Sequence, residues 1–500
     1  MHNLVNYLKM GMAAQQESRI EDAAAIYKLL IENYKNHPDA YNLLGVIEKD
    51  KLNYARAMEL VNHAIMLNPM EAGYYLNLGN IYRENYKYKK ALEIYEYSTL
   101  LKKDFKEAHE NIINILIDEN NYEKAIEKCK NAISNLKKQD QAKIYQLMGK
   151  SFTGLDLKEE AIKHFNKSIE INPNSFDALF EKGLVYLSQN KFTEGWNLYS
   201  YRWKTTGFNS KQISSKIPKY TKEESGGSVL IWSEQGIGDQ ILHLTMLSSL
   251  LKINNTVTLA IDRRLIPIFK RSYPSINTIP LETIIEKNEL DYQNQISIGD
   301  LGQQFRNDVI DFEPINFENK YLFADRNKTT ELKEKILNNS NKIKIICGIS
   351  WKSSNKEIGL LKSLRLRELQ SLFAMTEVVF INLQYGDVKN EIEEIKNEFG
   401  VEIKTMEDID NFNDLDGYLS LVEACDLVVT TSNTCAHFAG ALSKETYLML
   451  PFGRGAIWYW LNHKDGVNLW YPSVKIVRQN NNKSWSYAID QIILKIKEFL

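Results

Sequence analysis

A fixed period of 34 residues runs through the first two hundred positions, and it restricts this chain more than any other feature. Gly11, Gly45 and Gly79 lie 34 apart, Ile113 falls on the next step, and Gly149 and Gly183 resume the column after a two-residue insertion. A second column, 12 residues later, holds Ala23, Ala57, Ala91, Ala125, Ala161 and Gly195. A third, four further on, holds Tyr27, Val61, Tyr95, Cys129, Phe165 and Tyr199. Small residues recurring against bulky ones suit two closely crossing helices: the small side lets the backbones approach, and the large one fills the neighbouring groove. Pro69 and Pro173 end the second helix of their repeats, because proline cannot extend a helix past its first turn. A helix pair of this length cannot bury its apolar face alone, so about six pairs must stack over residues 1–205.

These columns resemble the tetratricopeptide repeat, and the resemblance implies a right-handed solenoid whose concave face holds a protein or peptide. Asn77 and Asn80 recur one repeat later as Asn111 and Asn114, on the first helix of each pair. Amides there could reach an extended peptide backbone, and the alternative is that they are solvated polar positions.

A chain of 500 residues exceeds one core and suggests about three folding units. Its 62 Lys and Arg against 64 Asp and Glu leave a net charge of −2, which gives no reason to expect nucleic acid or an anionic membrane surface. With 44% apolar and 25% charged residues the composition is that of a globular protein. The 4 cysteines are scattered without C-x-x-C spacing, which disfavours a disulfide framework or structural zinc and fits a reducing compartment. The start MHNLVNYLKMGMAAQQE lacks the apolar core of a signal peptide, and no stretch reaches about 18 uninterrupted apolar residues. The expectation is a cytoplasmic protein without a membrane span.

Past Trp203 the helical period stops, and Lys204 to Lys222, rich in lysine and serine, reads as a solvated connector, so that residues 206–228 form a linker. From Val229 the grammar changes. Short β-branched runs (VLIWSE, VTLAID, INTIP, QISI, then KIICGIS, EVVFINLQ, VEIKTM, DLVVTTS and ETYLMLP) alternate with amphipathic stretches, which predicts parallel sheets with crossover helices. TTELKEKILNNSNK reads as a helix and polar connector that divides two consecutive α/β domains, 229–340 and 341–500. The terminal SWSYAIDQIILKIKEFL is an amphipathic helix expected to brace one domain against the other.

Three strand ends carry chemistry. Ser233-Glu234-Gln235-Gly236-Ile237-Gly238-Asp239 runs from a strand into a helix, and the glycines let a ligand approach the backbone. Asp239 falls in the first helical turn, where an ionised carboxylate is favoured and can accept a proton from an attacking hydroxyl, or, alternatively, stabilises only the start of its helix. After DLVVTTS, Ser432 is a candidate N-cap, and the amides that follow it, with Asn433, Thr434 and His437, could hold phosphate oxygens; the alternative is a helix packed through Ala436, Ala439 and Gly440 with His437 satisfied in the core. Gly348-Ile349-Ser350-Trp351-Lys352 ends a third strand, with Lys362-Ser363-Leu364-Arg365 beyond an intervening loop, and Lys352 there could neutralise a diphosphate. Asp408-Ile409-Asp410 and Asp414-Leu415-Asp416 have D-x-D spacing but fall in a polar loop, so no metal site is expected. The aromatics Trp458, Tyr459, Trp460, Trp470 and Tyr471 could stack on a base or sugar, or simply close an interdomain core.

Taken as an ordered set, EQGIGD, GISWK, FINLQYGD, DLVVTTSNTCAHFAGAL and LWYPSVKIVRQ, preceded by FTEGWNLYSYRW, resemble bacterial tetratricopeptide proteins with a heptosyltransferase-like GT-B module. The layout is also similar to O-linked N-acetylglucosamine transferases. The resemblance implies an α solenoid followed by a GT-B fold of two Rossmann-like domains, the first on the acceptor side and the second on the nucleotide-sugar side. It implies a glycosyltransferase without a bound cofactor, using a UDP- or GDP-sugar and a protein or glycan acceptor. Asp239 would be the base, and Gly236, Gly238, Lys352, Gln384, Ser432, Asn433, Thr434 and His437 would bind the donor. Where many relatives carry an acid five residues before the helix histidine, this chain has Ser432, which suits an anionic diphosphate. The alternative is a protein-interaction scaffold with an inactive module.

Overall fold

In the first half of the chain each small column residue meets its bulky partner across a helix pair. A Cβ on Gly45 would lie 2.6 Å from Val61, and one on Gly149 would lie 2.5 Å from the Phe165 ring. Any larger side chain would push the two helices apart. A computed structural model describes all residues except 1, 214–215, 225, 255, 286–290, 313–319, 338–343, 356–357, 481–483 and 500. It divides the chain into two compact units, Met1–Ala178 and Leu179–Leu500.

The first unit is a stack of helix pairs: His2–Gln16 with Ile20–Asn33, Pro38–Asp50 with Tyr54–Leu67, Ala72–Glu84 with Tyr88–Leu101, Lys106–Asp118 with Tyr122–Asn135, and Ala142–Gly154 with Lys158–Ile171. The two-residue insertion is taken up by a 3-10 turn, Lys138–Asp140, between the fourth and fifth pairs. Each pair turns through one residue in the left-handed region (Ser18, Leu52, Tyr86, Asn120, Asp156), so the turn repeats with the period even where the residue type does not.

The second unit begins within the first helix of the sixth pair, Phe176–Ser188, includes its second helix, Phe192–Tyr199, and holds two parallel sheets. Its strands are β1 (Ser228–Trp232), β2 (Thr256–Ile261), β3 (Asn277–Pro280), β4 (Asn294–Ser297), β5 (Ile345–Ser350), β6 (Val378–Asn382), β7 (Ile403–Lys404), β8 (Leu427–Thr431), β9 (Glu445–Leu450), the hairpin β10–β11 (His463–Lys464, Val467–Asn468) and β12 (Val474–Arg478). The first sheet has the order β3-β2-β1-β4 and the second β12-β9-β8-β5-β6-β7. In both, the chain starts at an inner strand, builds outward on one side and then crosses to the other. In register, Ile231 lies between Leu259 and Ile296, and Gly348 between Ile381 and Val428. In such sheets the crevice at the switch in direction, beyond the strands' carboxyl ends, is where ligands sit.

Three expectations need correction. The stretch after Trp203 is no solvated connector throughout: Tyr220 is fully buried, its N–H donates to Gln295 O at 2.8 Å, and its hydroxyl accepts from Asn254. The sixth pair is not confined to the solenoid, because Phe192, Trp196 and Tyr199 lie in one core with the sheets. The final helix, Ser486–Phe499, covers one face of the second sheet through Ala488, Ile489, Ile492 and Ile496, rather than bracing one domain against the other. The connector residues 338–343 lie outside the described residues, and the helix ahead of them, Arg326–Leu337, packs with Leu415–Ala424 beside the second sheet. Among the described residues no helix is long and apolar enough to cross a membrane.

Candidate functional site

The carboxyl ends of the two sheets converge on one cleft of about 550 Å³. The turn after β1 contributes Gln235 to Asp239, β5 is followed by Ser353 to Asn355, Ile358 and Lys362, and β8 is followed by Ser432, Asn433, Thr434 and His437. Phe180 and Leu184, one turn apart on helix Phe176–Ser188, form part of its wall together with Tyr199, Trp458 and Tyr459.

Two short helices meet where the sheets approach. Helix Ile237–His243 follows β1, and helix Thr434–Ala441 follows β8. They touch at Gly238, where a Cβ would stand 2.7 Å from Cδ2 of His437. Asp239 and His437 therefore share the cleft. Burial raises the Asp239 pKa above its ordinary value, and the nearby Lys362 charge pulls it back. Lys362 is only 5% exposed, and burial lowers its pKa to about 8 against the opposing pull of Asp239. Among the described residues the Lys362 ammonium has no hydrogen-bond or ion-pair partner, so a buried cation is left facing the cleft.

Several residues singled out from the sequence are occupied elsewhere. Lys352 does not line the cleft, because its ammonium pairs with Glu391. Gln384 holds the β5 end together: Oε1 accepts from Ser350 Oγ at 3.1 Å, Trp351 N at 2.9 Å and Lys352 N at 2.7 Å. Asn433 caps its helix by accepting from Cys435 N and donates Nδ2 to Ser350 Oγ and Lys352 O, which leaves its amide little to offer a ligand. Ser432 Oγ accepts from Trp460 Nε1 at 2.9 Å. His437 is caged: Nδ1 lies 3.0 Å from the Tyr471 hydroxyl and Nε2 lies 3.3 Å from that of Tyr459. Burial, with the Lys362 charge adding to it, lowers its pKa to about 3, so it faces the cleft as a neutral ring. Gly236 and Thr434 line the cleft as expected. The aromatic group Trp458, Tyr459, Trp460, Trp470 and Tyr471 is buried in the core and only its Trp458 and Tyr459 edge reaches the cleft.

The D-x-D acids also have structural duties. Asp408 pairs with Lys335, Asp410 accepts from the N–H groups of Phe412 and Asn413, Asp414 caps helix Leu415–Ala424, and Asp416 pairs with Arg271. In the first unit, Asn77 donates to Asn42 at 2.9 Å, and Asn111 donates to Asn80 at 3.0 Å while accepting from Arg83. Three of the four candidate peptide contacts thus form a ladder between neighbouring repeats, whereas Asn114 lines a surface hollow with Arg83, Tyr54 and Tyr86.

Lys362 was visible as a residue but not as the cation of the cleft. The loop after β5 folds back on itself, with Leu364 N donating to Trp351 O at 3.0 Å and Ser353 N to Ser363 Oγ at 2.9 Å. That closure carries a lysine ten residues downstream of Lys352 back to the strand end. Leucines around it, Leu360, Leu361 and Leu364, do not mark its burial, since Leu360 is itself exposed.

Residues 6–37, 142–175 and 164–196 match models of the tetratricopeptide repeat. The N-terminal region is a tetratricopeptide repeat array. The chain is 26% identical over 387 residues to protein FlbA of Caulobacter vibrioides, a match that covers 72% of this chain and 62% of FlbA. The match therefore extends beyond the tetratricopeptide repeats into the α/β region, and the chain spans less than two thirds of that curated relative. Among solved structures, it is similar to YrrB, described as a TPR protein with an unusual peptide-binding site (20% identity, 36% of this chain and 91% of that one, TM-score 0.30), and to MamA (22%, 34% and 92%, TM-score 0.30).

Proposed function

We propose that the cleft is the active site of a glycosyltransferase that uses a nucleotide sugar, and that the tetratricopeptide repeats hold a protein partner. What carries the reading is one juxtaposition: a buried lysine with no partner among the described residues and an aspartate coupled to it, at the point where two parallel sheets direct their carboxyl ends into one crevice. Transfer from a nucleoside diphosphate sugar needs a group to take the acceptor hydroxyl's proton and a positive group near the departing diphosphate. Asp239 suits the first role, and its raised pKa makes it a stronger base than a solvated carboxylate. Lys362 suits the second, in place of Lys352, because its charge is already desolvated and aimed at a binding space.

Asp239→Asn keeps the shape and removes the base. It is expected to lower transfer by about 100-fold or more while leaving nucleotide affinity within a factor of about two. Calorimetry of the wild-type protein with uridine, guanosine and adenosine diphosphates is the first measurement. Absence of affinity for all three would leave the repeat array as the working part, with an inactive module beside it.

A further inference from the structure

Arg202 stands in the 3-10 turn Ser200–Lys204, directly after the sixth helix pair, and is fully buried. Its Nε and Nη2 donate to both oxygens of Glu234 at 3.0 and 2.8 Å, and Nη2 also donates to Ser297 Oγ at 2.9 Å and faces Asp300 Oδ1 at 2.8 Å. Glu234 in turn accepts from Gly299 N at 2.9 Å, and Asp300 meets Lys219 at 2.7 Å. One guanidinium thereby ties together the carboxyl ends of two adjacent strands, β1 and β4.

Such a network is a poor device for stability alone, because removing two carboxylates and a guanidinium from water is costly and well-packed apolar groups would serve a core as well. Its position is the informative part. Glu234 immediately precedes Gln235, which has a φ of 62° and opens the turn into helix Ile237–His243, whose third residue is Asp239. The segment around Arg202 grips this turn twice more: Gln235 N donates to Ser210 Oγ at 2.8 Å, and the Tyr199 hydroxyl donates to Gln235 Oε1 at 3.3 Å.

We propose that Arg202 is a positioning residue: by holding Glu234 and Asp300 it fixes the turn at Gln235 and the helix start behind it, so that the segment after the last repeat determines where Asp239 stands in the cleft. The functional consequence rests on reading Asp239 as the base of the transfer.

The test uses the full chain and begins with a readout that needs no substrate. Cys129, Cys347, Cys425 and Cys435 are all buried, so iodoacetamide added to D239C reports on the introduced thiol. R202K keeps the charge but loses the planar fork. Adding R202K to D239C is expected to raise the alkylation rate about fivefold or more as the turn loosens, whereas R367K, in an exposed pair with Glu398, leaves the rate unchanged. An unchanged rate in R202K/D239C overturns the proposal. Should R202K not fold, E234Q/D239C takes its place, with the same expectation and the same overturning result. In the protein that retains Asp239, R202K is expected to lower turnover about tenfold while the affinity for the nucleoside diphosphate holds, the split expected of a misplaced base. Equal loss of both, or of neither, also overturns it. A wild-type protein that binds no nucleotide refutes the transferase reading instead, and the alkylation result still decides the role of Arg202.

Discussion

Burial acts on Lys362 and His437 in the same direction, away from positive charge, but leaves them on opposite sides of neutral pH. For Lys362 the pKa near 8 means that the free protein begins to lose this charge just above physiological pH. A diphosphate held by the ammonium is therefore expected to bind more weakly as pH rises through about 8, and calorimetry from pH 7 to 9.5 should show that slope. Lys362→Met should weaken binding at pH 7 by about tenfold or more and flatten the slope, because a desolvated charge-assisted contact is lost. A variant that binds as tightly as wild type would remove the lysine from the site. His437 gives a stability effect. Its folded pKa of about 3 lies below the ordinary 6.5, so between those values the unfolded chain takes up a proton that the folded chain does not. Stability then falls as pH falls through that window, by about 1.4 kcal/mol per pH unit for each such group. His243, also lowered to about 3 by burial, adds a second. His437→Gln, which keeps hydrogen-bonding capacity within the tyrosine cage, is expected to reduce the slope of urea-unfolding stability between pH 4 and 6 by about one proton's worth. An unaltered slope would mean that His437 titrates normally.

The paired helices Ile237–His243 and Thr434–Ala441 place Asp239 and His437, and their closeness depends on the missing side chain of Gly238. His437 cannot retreat, because Tyr459 and Tyr471 hold both ring nitrogens and Trp460 packs at 5.0 Å between ring centroids. Gly238→Ala is therefore expected to cost about 1–3 kcal/mol and to impair ligand binding, read by thermal melting and calorimetry together, whereas Gly207→Ala, with open space around its Cβ, should change neither. The elements themselves were largely legible: short runs marked β1 to β9, most plainly β1, β2, β5, β6, β8 and β9, since a strand buried on both faces has little composition available besides apolar and β-branched residues. The marginal β10–β11 hairpin and β12 were not, because Val467–Asn468 has no apolar run and Val474–Arg478 alternates with charged residues. Within the site, sequence order located Asp239 and His437 at converging helix starts. It could not foresee that Lys352 would be taken by Glu391 or that a loop closure would deliver Lys362, since both depend on partners distant along the chain.

For the molecule as a whole, the division of the chain follows burial rather than periodicity. The 34-residue pattern runs on to Tyr199 because the sixth pair still needs the small and bulky columns to fold, yet its outer surface is covered by the α/β unit. Trp196 donates Nε1 to Arg306 O at 2.7 Å and packs edge to face on Trp458 at 5.4 Å, while Phe192 lies against Phe312 at 5.1 Å. A boundary at residue 205, natural from the repeat alone, removes these aromatic anchors together with Arg202. Each lost aromatic costs about 3–5 kcal/mol, and leaving Glu234 and Asp300 buried without their guanidinium adds about 3–5 more. The total approaches or exceeds the roughly 5–15 kcal/mol that holds an ordinary domain together. A chain of residues 206–500 is therefore expected to be insoluble or to melt without a cooperative transition. A chain of residues 176–500, which keeps the sixth pair, should give a cooperative melt by circular dichroism. A soluble 206–500 protein with the same melting temperature as the longer form would show that the last repeat is an appendage to the α/β unit and no part of its core.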